Sequence, residues 1–231
     1  MGCAIFYFYQ HRKGEVIMAM FKTTDDLINK FIGNDEDKKA DYLKRENSNF
    51  VYSLPLLRKN ITNKAEEEYL MKYILPKKLT ELYEDGVVYI HDKQLSSYCQ
   101  SVSCKDIATL GIPSIAKNML ESGPASSLPT LIRHFSNVVT LMSQQVSGAV
   151  MLSQMTTILA SYLYEEEINR QFYTDHTLGK LLYQLIYELN LPLRSGSESA
   201  FSNCTLEFGK PSEEIKDEYV VIGGEGKDYQ Y

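Results

Sequence analysis

Two cysteines are the residues of this chain best suited to redox or nucleophilic chemistry. Cys99 lies in a polar segment, Ser96–Ser101, and Cys104 follows it closely. A cysteine acts as a nucleophile only where its surroundings favour the thiolate. A free cysteine is more often a small buried apolar residue. The spacing alone therefore leaves both roles open for each cysteine.

A histidine–aspartate pair precedes these cysteines. His91 and Asp92 directly follow the apolar run Val87–Ile90. His91 could act as a base, a metal ligand or an orienting donor, because imidazole changes its charge near neutral pH. The plain alternatives are a hydrogen-bonded histidine at the end of a strand and an aspartate that caps the next turn. Junctions between strands and loops often carry functional groups, so the pair stays a candidate.

A small polar loop is the third candidate. Its residues Ser195, Gly196 and Ser197 could wrap a phosphate with backbone N–H groups. The loop has neither a P-loop lysine nor a G-x-G-x-x-G pattern, so a simple connecting loop is the alternative. Cys204 follows in a predicted strand, and we expect it to pack in the core.

The elements that position these residues are predicted from apolar periodicity. Residues 62–84 predict a helix with an Asn63–Glu66 capping box and a kink at Pro76. Residues 87–90 predict a short buried strand. The stretch 93–128 is punctuated by Gly and Pro and reads as irregular.

The second half of the chain is predicted to be more helical. Residues 129–169 predict one long helix, or two helices with a break at Gly148. Residues 174–190 predict another helix, because their leucines recur on one side.

Strand signals follow these helices. Residues 204–208 and 219–222 are predicted strands. The glycine-rich stretch 223–229 reads as a turn that enters a further element. Strands that alternate with helices indicate the α/β class.

Composition excludes several classes of protein. The 231 residues are 44% hydrophobic and 23% charged, which is typical of a globular domain. A net charge of −6 argues against a nucleic-acid binder with a basic face. Four cysteines without a C-x-x-C pair support neither a disulfide scaffold nor a zinc ribbon. The chain lacks an apolar run of the roughly 20 residues that span a bilayer, so we expect a cytoplasmic protein without membrane contact.

These features together resemble the anaerobic (class III, glycyl-radical) ribonucleoside-triphosphate reductases. The resemblance runs over residues 45–231, and the order and spacing of its motifs make it specific. The motifs are Arg45-Glu46-Asn47-Ser48-Asn49, Gly86-x-x-Tyr89-Ile90-His91-Asp92, Tyr98-Cys99 with Gly111-Ile112, the helix Ser136–Gly148, and Ser195-Gly196 through Phe201-Ser202-Asn203.

The resemblance implies a fold and a domain organisation. Residues 45–231 would form the N-terminal portion of a ten-stranded α/β barrel of the glycyl-radical-enzyme type, with long helices packed outside. Residues 1–44 would form an N-terminal extension and linker, with a short helix over 24–32. An incomplete barrel exposes strand edges, so we expect a complementary C-terminal part.

The resemblance also implies an activity, the reduction of ribonucleoside triphosphates to 2′-deoxyribonucleoside triphosphates. In that family a cysteine after the His-Asp strand takes the radical and abstracts the 3′-hydrogen of the substrate ribose. That role falls on Cys99, with Cys104 as the second candidate. The implied substrate-binding residues are His91, Asp92, Ser195, Gly196, Ser197 and Asn203.

Cofactors and partners follow from the same resemblance. We expect no cofactor on this segment itself. The full enzyme would use a glycyl radical installed by a radical-SAM iron–sulfur activase, formate as reductant, and zinc in its C-terminal part. Partners would be the substrate, dNTP or ATP effectors, the activase, and a second copy bound through residues 129–169. Direct nucleic-acid binding is not expected.

Two other functions remain open at this point. The 231 residues contain no Arg-x-x-Gly-Tyr stretch of the kind that carries the glycyl radical. The segment would thus be inactive alone, and it could be a non-catalytic nucleotide-binding or interaction module. Another glycyl-radical enzyme, acting on a small carbon substrate, would fit the cysteine but would fit the other motifs less well.

Overall fold

The computed structural model describes residues 25, 28, 54–91, 93–112, 121–168, 174–194 and 198–231. Apart from Asp25 and Ile28, the predicted helix over 24–32 lies outside this part of the chain, as do the motif at 45–49, Asp92 and the loop 195–197. The chain divides into two compact units: residues 1–98 with 195–198, and residues 99–194 with 199–231.

The described part of the first unit is largely helical. Helix α1 spans Leu54–Tyr69, a π-helical turn follows over Leu70–Ile74, and helix α2 spans Lys77–Glu84. The predicted break at Pro76 is confirmed, because Pro76 directly precedes α2.

The predicted start of this helical region is wrong. The helix begins at Leu54 instead of near residue 62, and Pro55 lies in its first turn, where proline is tolerated. Asn63 is therefore inside α1 and is not a cap. Its side-chain oxygen accepts a hydrogen bond of 3.0 Å from the Gln94 amide.

The predicted buried strand at 87–90 is also wrong. The backbone N–H groups of Val87 and Val88 donate to the carbonyl oxygen of Leu82, at 2.8 and 3.2 Å. These bonds close the end of α2, and beyond them Val88 forms only a single β-bridge, so no strand spans 87–90. Val87 is 41% exposed and Tyr89 is 50% exposed.

The second unit contains a three-stranded parallel sheet with the order β1-β2-β3. Strand β1 spans Gln100–Ser103, β2 spans Val150–Ser153 and β3 spans Ser202–Cys204. Helices α3 (Cys104–Leu110) and α4 (Leu128–Ser143) lie between β1 and β2 in the chain. Helices α5 (Met155–Ile168) and α6 (Asp175–Leu189) lie between β2 and β3. Parallel strands with helical crossovers confirm the α/β class.

Of the two alternatives predicted for 129–169, the single long helix is wrong and the two helices are confirmed, with a break that contains Gly148 but also a strand. Helix α4 ends at Ser143, β2 follows, and α5 begins at Met155. A short apolar run in a fully buried strand cannot be told from a buried helical segment by its periodicity. Val150 and Leu152 of β2 are indeed 0% and 2% exposed.

The stretch 93–128 is likewise more regular than predicted, since it contains β1, α3 and the start of α4. The helix predicted over 174–190 is confirmed as α6. Its N-terminus is capped by the Thr174 hydroxyl, which accepts from the Thr177 N–H at 3.3 Å.

The core of the second unit lies between the sheet and α4 and α5. Phe135, Leu131, Ile158 and Val150 are all fully buried there. The Tyr162 hydroxyl donates to the carbonyl oxygen of Ala125 at 2.7 Å, and burial raises the pKa of this phenol. No helix within the described ranges is long and apolar enough to cross a bilayer.

A β-hairpin follows the sheet. Strand β4 (Tyr219–Ile222) pairs antiparallel with β5 (Glu225–Gln230) across Gly223 and Gly224, both at positive φ. This confirms the strand at 219–222 and a turn that enters a further element, but the turn predicted over 223–229 is limited to Gly223 and Gly224, because β5 begins at Glu225. The strand predicted over 204–208 is wrong in its extent, because β3 ends at Cys204.

Candidate active site

Cys99 lies at the edge of the sheet where the strands begin. It directly precedes β1, and its Sγ accepts a hydrogen bond of 3.3 Å from the Ala149 N–H. The Ala149 carbonyl oxygen in turn accepts from the Gln100 N–H at 3.0 Å. The Cys99 side chain is exposed. Backbone contacts therefore hold an accessible sulfur in one place.

Cys104 lies at the opposite end of the strands, where β1 passes into α3. It is the first residue of α3 and directly follows β1, so about 16.5 Å of chain separates it from Cys99 at ~3.3 Å per residue. Its side chain is 0% exposed. Burial raises the pKa of the Cys104 thiol, and nearby Cys204 and Glu207 raise it further. The two catalytic candidates thus do not share one site.

Cys204 does not pack in the core, contrary to the prediction. It is the last residue of β3, it pairs in register with Leu152, and its side chain is exposed. Because Cys204 is the last residue of a three-residue strand, the alternation of side chains along that strand does not determine whether its side chain is buried.

Asn203 lies on the open face of the sheet. It pairs in register with Met151, which pairs with Ser101. The opposite face, with Val150 and Leu152, is buried against the helices. Side chains alternate along strands, and extending this alternation by one residue puts Cys99 on the same open face as Asn203.

His91 belongs to the first unit. Its ring lies edge-on to Tyr98, with a centroid distance of 5.1 Å, and to Tyr89, with a distance of 6.0 Å. The imidazole is exposed. The other predicted substrate-binding residues lie outside the described residues: Asp92, Ser195, Gly196 and Ser197.

Sequence reasoning missed Arg194. Its Nη2 donates to the carbonyl oxygens of Val146 and Ser147, at 2.9 and 2.5 Å, and its guanidinium carbon lies 5.0 Å from the centroid of the Phe201 ring. Arg194 is only 5% exposed. A charged residue directly before Ser195-Gly196 was the available signal, but nothing in the sequence indicated its burial.

Comparison with known proteins identifies the family. The sequence pattern of the anaerobic ribonucleoside-triphosphate reductases matches residues 46–225. The chain belongs to this family. No individually curated protein matches it.

Solved structures of anaerobic ribonucleotide reductases are similar to this family member. The Thermotoga maritima enzyme in complex with dATP and CTP is 25% identical, with a TM-score of 0.58 over 78% of this chain and 31% of that one. The same enzyme with dATP in the specificity site is 24% identical, with a TM-score of 0.58 over 78% and 32%. With MES in the active site it is 25% identical, with a TM-score of 0.54 over 66% and 28%. The reductase chain described here spans about a third of the length of these relatives.

A metal site is not formed by the described part of this reductase chain. Within those ranges, no group of three or more His, Cys, Asp or Glu residues is placed to hold a metal ion. The family resemblance places its zinc in the C-terminal part of the full enzyme.

The burial of the thiols predicts their reactivity. In the native reductase chain, iodoacetamide should alkylate Cys99 and Cys204 readily and Cys104 on the order of 100-fold more slowly, because Cys104 reacts only after local opening. Peptide mass spectrometry of time points would measure the three rates. Alkylation in urea is the control, and there the rates should converge. Equal rates for Cys99 and Cys104 in the native chain would contradict the structure.

Proposed function

We propose that this chain forms part of the catalytic domain of an anaerobic ribonucleoside-triphosphate reductase. The complete protein would convert a ribonucleoside triphosphate to its 2′-deoxy form by glycyl- and thiyl-radical chemistry. With formate as reductant, the substrate, formate and one proton give the deoxynucleotide, carbon dioxide and water. The observation that carries the proposal is the placement of Cys99, an exposed thiol at the edge of a parallel sheet, in a chain whose residues 46–225 match this family.

Cys99 is the thiol that we assign to the radical chemistry. A thiol can exchange a hydrogen atom with a carbon radical only if the substrate reaches the sulfur, which the exposed Cys99 allows. Such a step also needs a pocket that excludes water, and the rest of the complete protein would supply it. The Ala149 N–H bond fixes the sulfur at the edge of the sheet. Cys104 fits this role less well, because it is buried at the other end of β1 with no exposed surface. We assign Cys104 to packing.

Substrate contacts are proposed for the residues named from the sequence: His91, Asp92, Ser195, Gly196, Ser197 and Asn203. The support for Asn203 is its position on the open face of the sheet, shared with Cys99 by strand alternation. The support for the others is their match to the family motifs. Residues 195–197 would bind phosphate oxygens through their backbone N–H groups, as the sequence predicts.

The three parallel strands are proposed to open a ten-stranded barrel. Beyond β3 the chain leaves large apolar side chains uncovered, with Leu206 52% exposed and Phe208 85% exposed. Further strands of a complete protein would cover them and complete the barrel. That part of the protein would also carry the glycyl radical, which supplies the unpaired electron, and the zinc site.

Nucleotide effectors and a second copy are proposed partners. A relative holds dATP and CTP together, and the same relative holds dATP in a specificity site. We place the dimer contact on the segment 129–169, which contains α4 and α5. A radical-SAM activase would install the radical, in the cytoplasm. We propose ribonucleoside triphosphates as the substrates because the family is named for them.

An anaerobic turnover assay tests this function. The complete protein carrying this chain would be activated, supplied with formate and CTP, and analysed for dCTP by chromatography. We expect dCTP that depends on both activation and formate. If electron paramagnetic resonance shows the glycyl radical and no deoxynucleotide forms from CTP, UTP, ATP or GTP, the proposal is overturned. Nucleotide-dependent stabilisation without turnover would then favour the non-catalytic binding module.

A further inference from the structure

Arg194 is a buried cation whose partners are not the usual ones. Its described hydrogen-bond acceptors are two backbone carbonyl oxygens, and its Nη1 is buried without a partner among the described residues. Burying a guanidinium costs free energy unless its contacts compensate for the lost water. An apolar residue would fill this position at lower cost. The contacts of Arg194 therefore indicate what its charge is retained for.

One set of contacts holds the turn 144–149, which joins α4 to β2. Nη2 of Arg194 binds the carbonyl oxygens of Val146 and Ser147 within this turn. In the reverse direction, the Gln144 amide donates to the carbonyl oxygen of Leu193 at 2.9 Å. The turn is thus tied at both its start and its middle to the residues around Arg194.

The other contact holds the neighbouring strand. The guanidinium lies over the ring of Phe201, and the Phe201 carbonyl oxygen accepts from the Val150 N–H at 2.9 Å. Arg194 therefore contacts the turn that precedes Ala149. It also contacts Phe201, whose carbonyl oxygen binds Val150, the residue after Ala149. Ala149 is the residue whose N–H reaches Cys99 Sγ.

We propose that Arg194 is a positioning residue for Cys99. It holds the turn 144–149 so that the Ala149 N–H points at the sulfur. The task suits arginine, because Nη2 alone donates to both carbonyl oxygens while the planar guanidinium stacks on an aromatic ring, and a lysine ammonium has no planar face to stack. A catalytic role for this positioning rests on the proposed function. The positioning of the Ala149 N–H by Arg194 does not depend on that function.

The test compares Arg194→Met with Arg133→Met in the full chain. Both variants lose one positive charge and one long side chain, but the Arg133 side chain on α4 is 63% exposed. Two quantities would be measured: hydrogen exchange of the amides in 146–149 and in β2, and the iodoacetamide rate of Cys99 relative to that of Cys204. Cys204 is an exposed thiol in the same molecule and serves as the internal reference.

We expect the Ala149 amide to exchange at least tenfold faster in Arg194→Met, with little change in β2. The rate of Cys99 relative to Cys204 should fall roughly threefold, because a lost N–H donor no longer stabilises the attacking thiolate. Arg194→Lys should restore part of both values, since its ammonium still donates to a carbonyl oxygen. Arg133→Met should behave as the unmodified chain.

Three results would overturn the inference: unchanged values in Arg194→Met, the same change in Arg133→Met, or a uniform change that includes β2 and Cys204. If Arg194→Met does not fold, Phe201→Leu removes the stacking ring at a half-exposed position and must change the same two values. Neither readout requires turnover. Failure of the reductase assay with these shifts present would reject the proposed function alone.

Discussion

Under the proposed function, replacing Cys99 by serine is expected to reduce turnover of the complete protein at least about 1000-fold, to the background of the assay. A hydroxyl cannot replace the thiol in hydrogen-atom exchange, because the O–H bond is much stronger than the S–H bond. The substitution removes only one exposed sulfur atom at the sheet edge, and the Ala149 N–H can still donate to the serine oxygen. Folding and nucleotide binding should therefore survive.

Cys104→Ser provides the matched comparison. The same atom is exchanged at the other end of β1, where the side chain is fully buried. We expect stability to fall by about 1–3 kcal/mol, because a hydroxyl is placed among apolar neighbours, while turnover per folded molecule stays within a few-fold. Cys204→Ser, at an exposed position, should alter neither quantity.

The assignment of Cys99 depends on the contrast between these variants. Rates per folded molecule, with folding checked by thermal melts, separate lost chemistry from lost protein. Full activity in Cys99→Ser would remove Cys99 from the reaction. Loss in Cys104→Ser alone, in a folded protein, would transfer the role to the buried thiol.

Much of the fold could be predicted because local patterns agree with the tertiary structure. The stripe of leucines in 174–190 has the helical period, and Thr174 supplies a cap, so α6 was found nearly to the residue. Strand β4 and its glycine turn carry equally clear local signals. In such segments the sequence needs no information about distant partners.

The secondary-structure predictions failed where contacts with residues distant in the sequence determine the local conformation. Strand β2 is four residues long and apolar, and only pairing with β1 on one side and β3 on the other distinguishes it from helix. The segment 87–90 is rich in β-branched residues, yet the end of α2 uses its N–H groups. Propensity is a weak signal beside such contacts.

The candidate site shows the same limit. Motif order names Cys99 and Asn203 as candidates, because residue type and spacing are all that a motif contains. Motif order could not reveal that Cys99 and Cys104 lie at opposite ends of strand β1, since that follows from where β1 begins and ends. Arg194 was missed because its partners are backbone carbonyl oxygens, which leave no trace in residue types.

Gly111→Ala is expected to destabilise the chain by about 4 kcal/mol. Gly111 ends α3 at φ +78° and ψ −147°, a region that only glycine occupies at low cost. An added Cβ would lie 2.1 Å from the Ser122 carbonyl oxygen and 2.5 Å from the Gly123 carbonyl carbon. Both are backbone atoms, so no side-chain rotation can relieve the overlap.

The surrounding backbone has little freedom to move away from that Cβ. Ile112 and Ser122 exchange two backbone hydrogen bonds, of 2.8 and 3.1 Å, directly beside Gly111. The Ser122 hydroxyl is also bonded to the buried His134 ring at 3.0 Å. Relief of the overlap would break this bridge, so the melting temperature should fall by roughly 10 °C.

Gly179→Ala is the matched control with the opposite expected sign. Gly179 lies inside α6 with nothing within 4 Å of an added Cβ. Alanine favours a helix interior over glycine by up to about 1 kcal/mol, so this variant should melt a few degrees higher. Thermal denaturation of the two variants beside the unmodified chain measures both effects. A Gly111→Ala chain as stable as its parent would show that α3 and the Ile112–Ser122 bridge are not packed as described, whatever the chain does in catalysis.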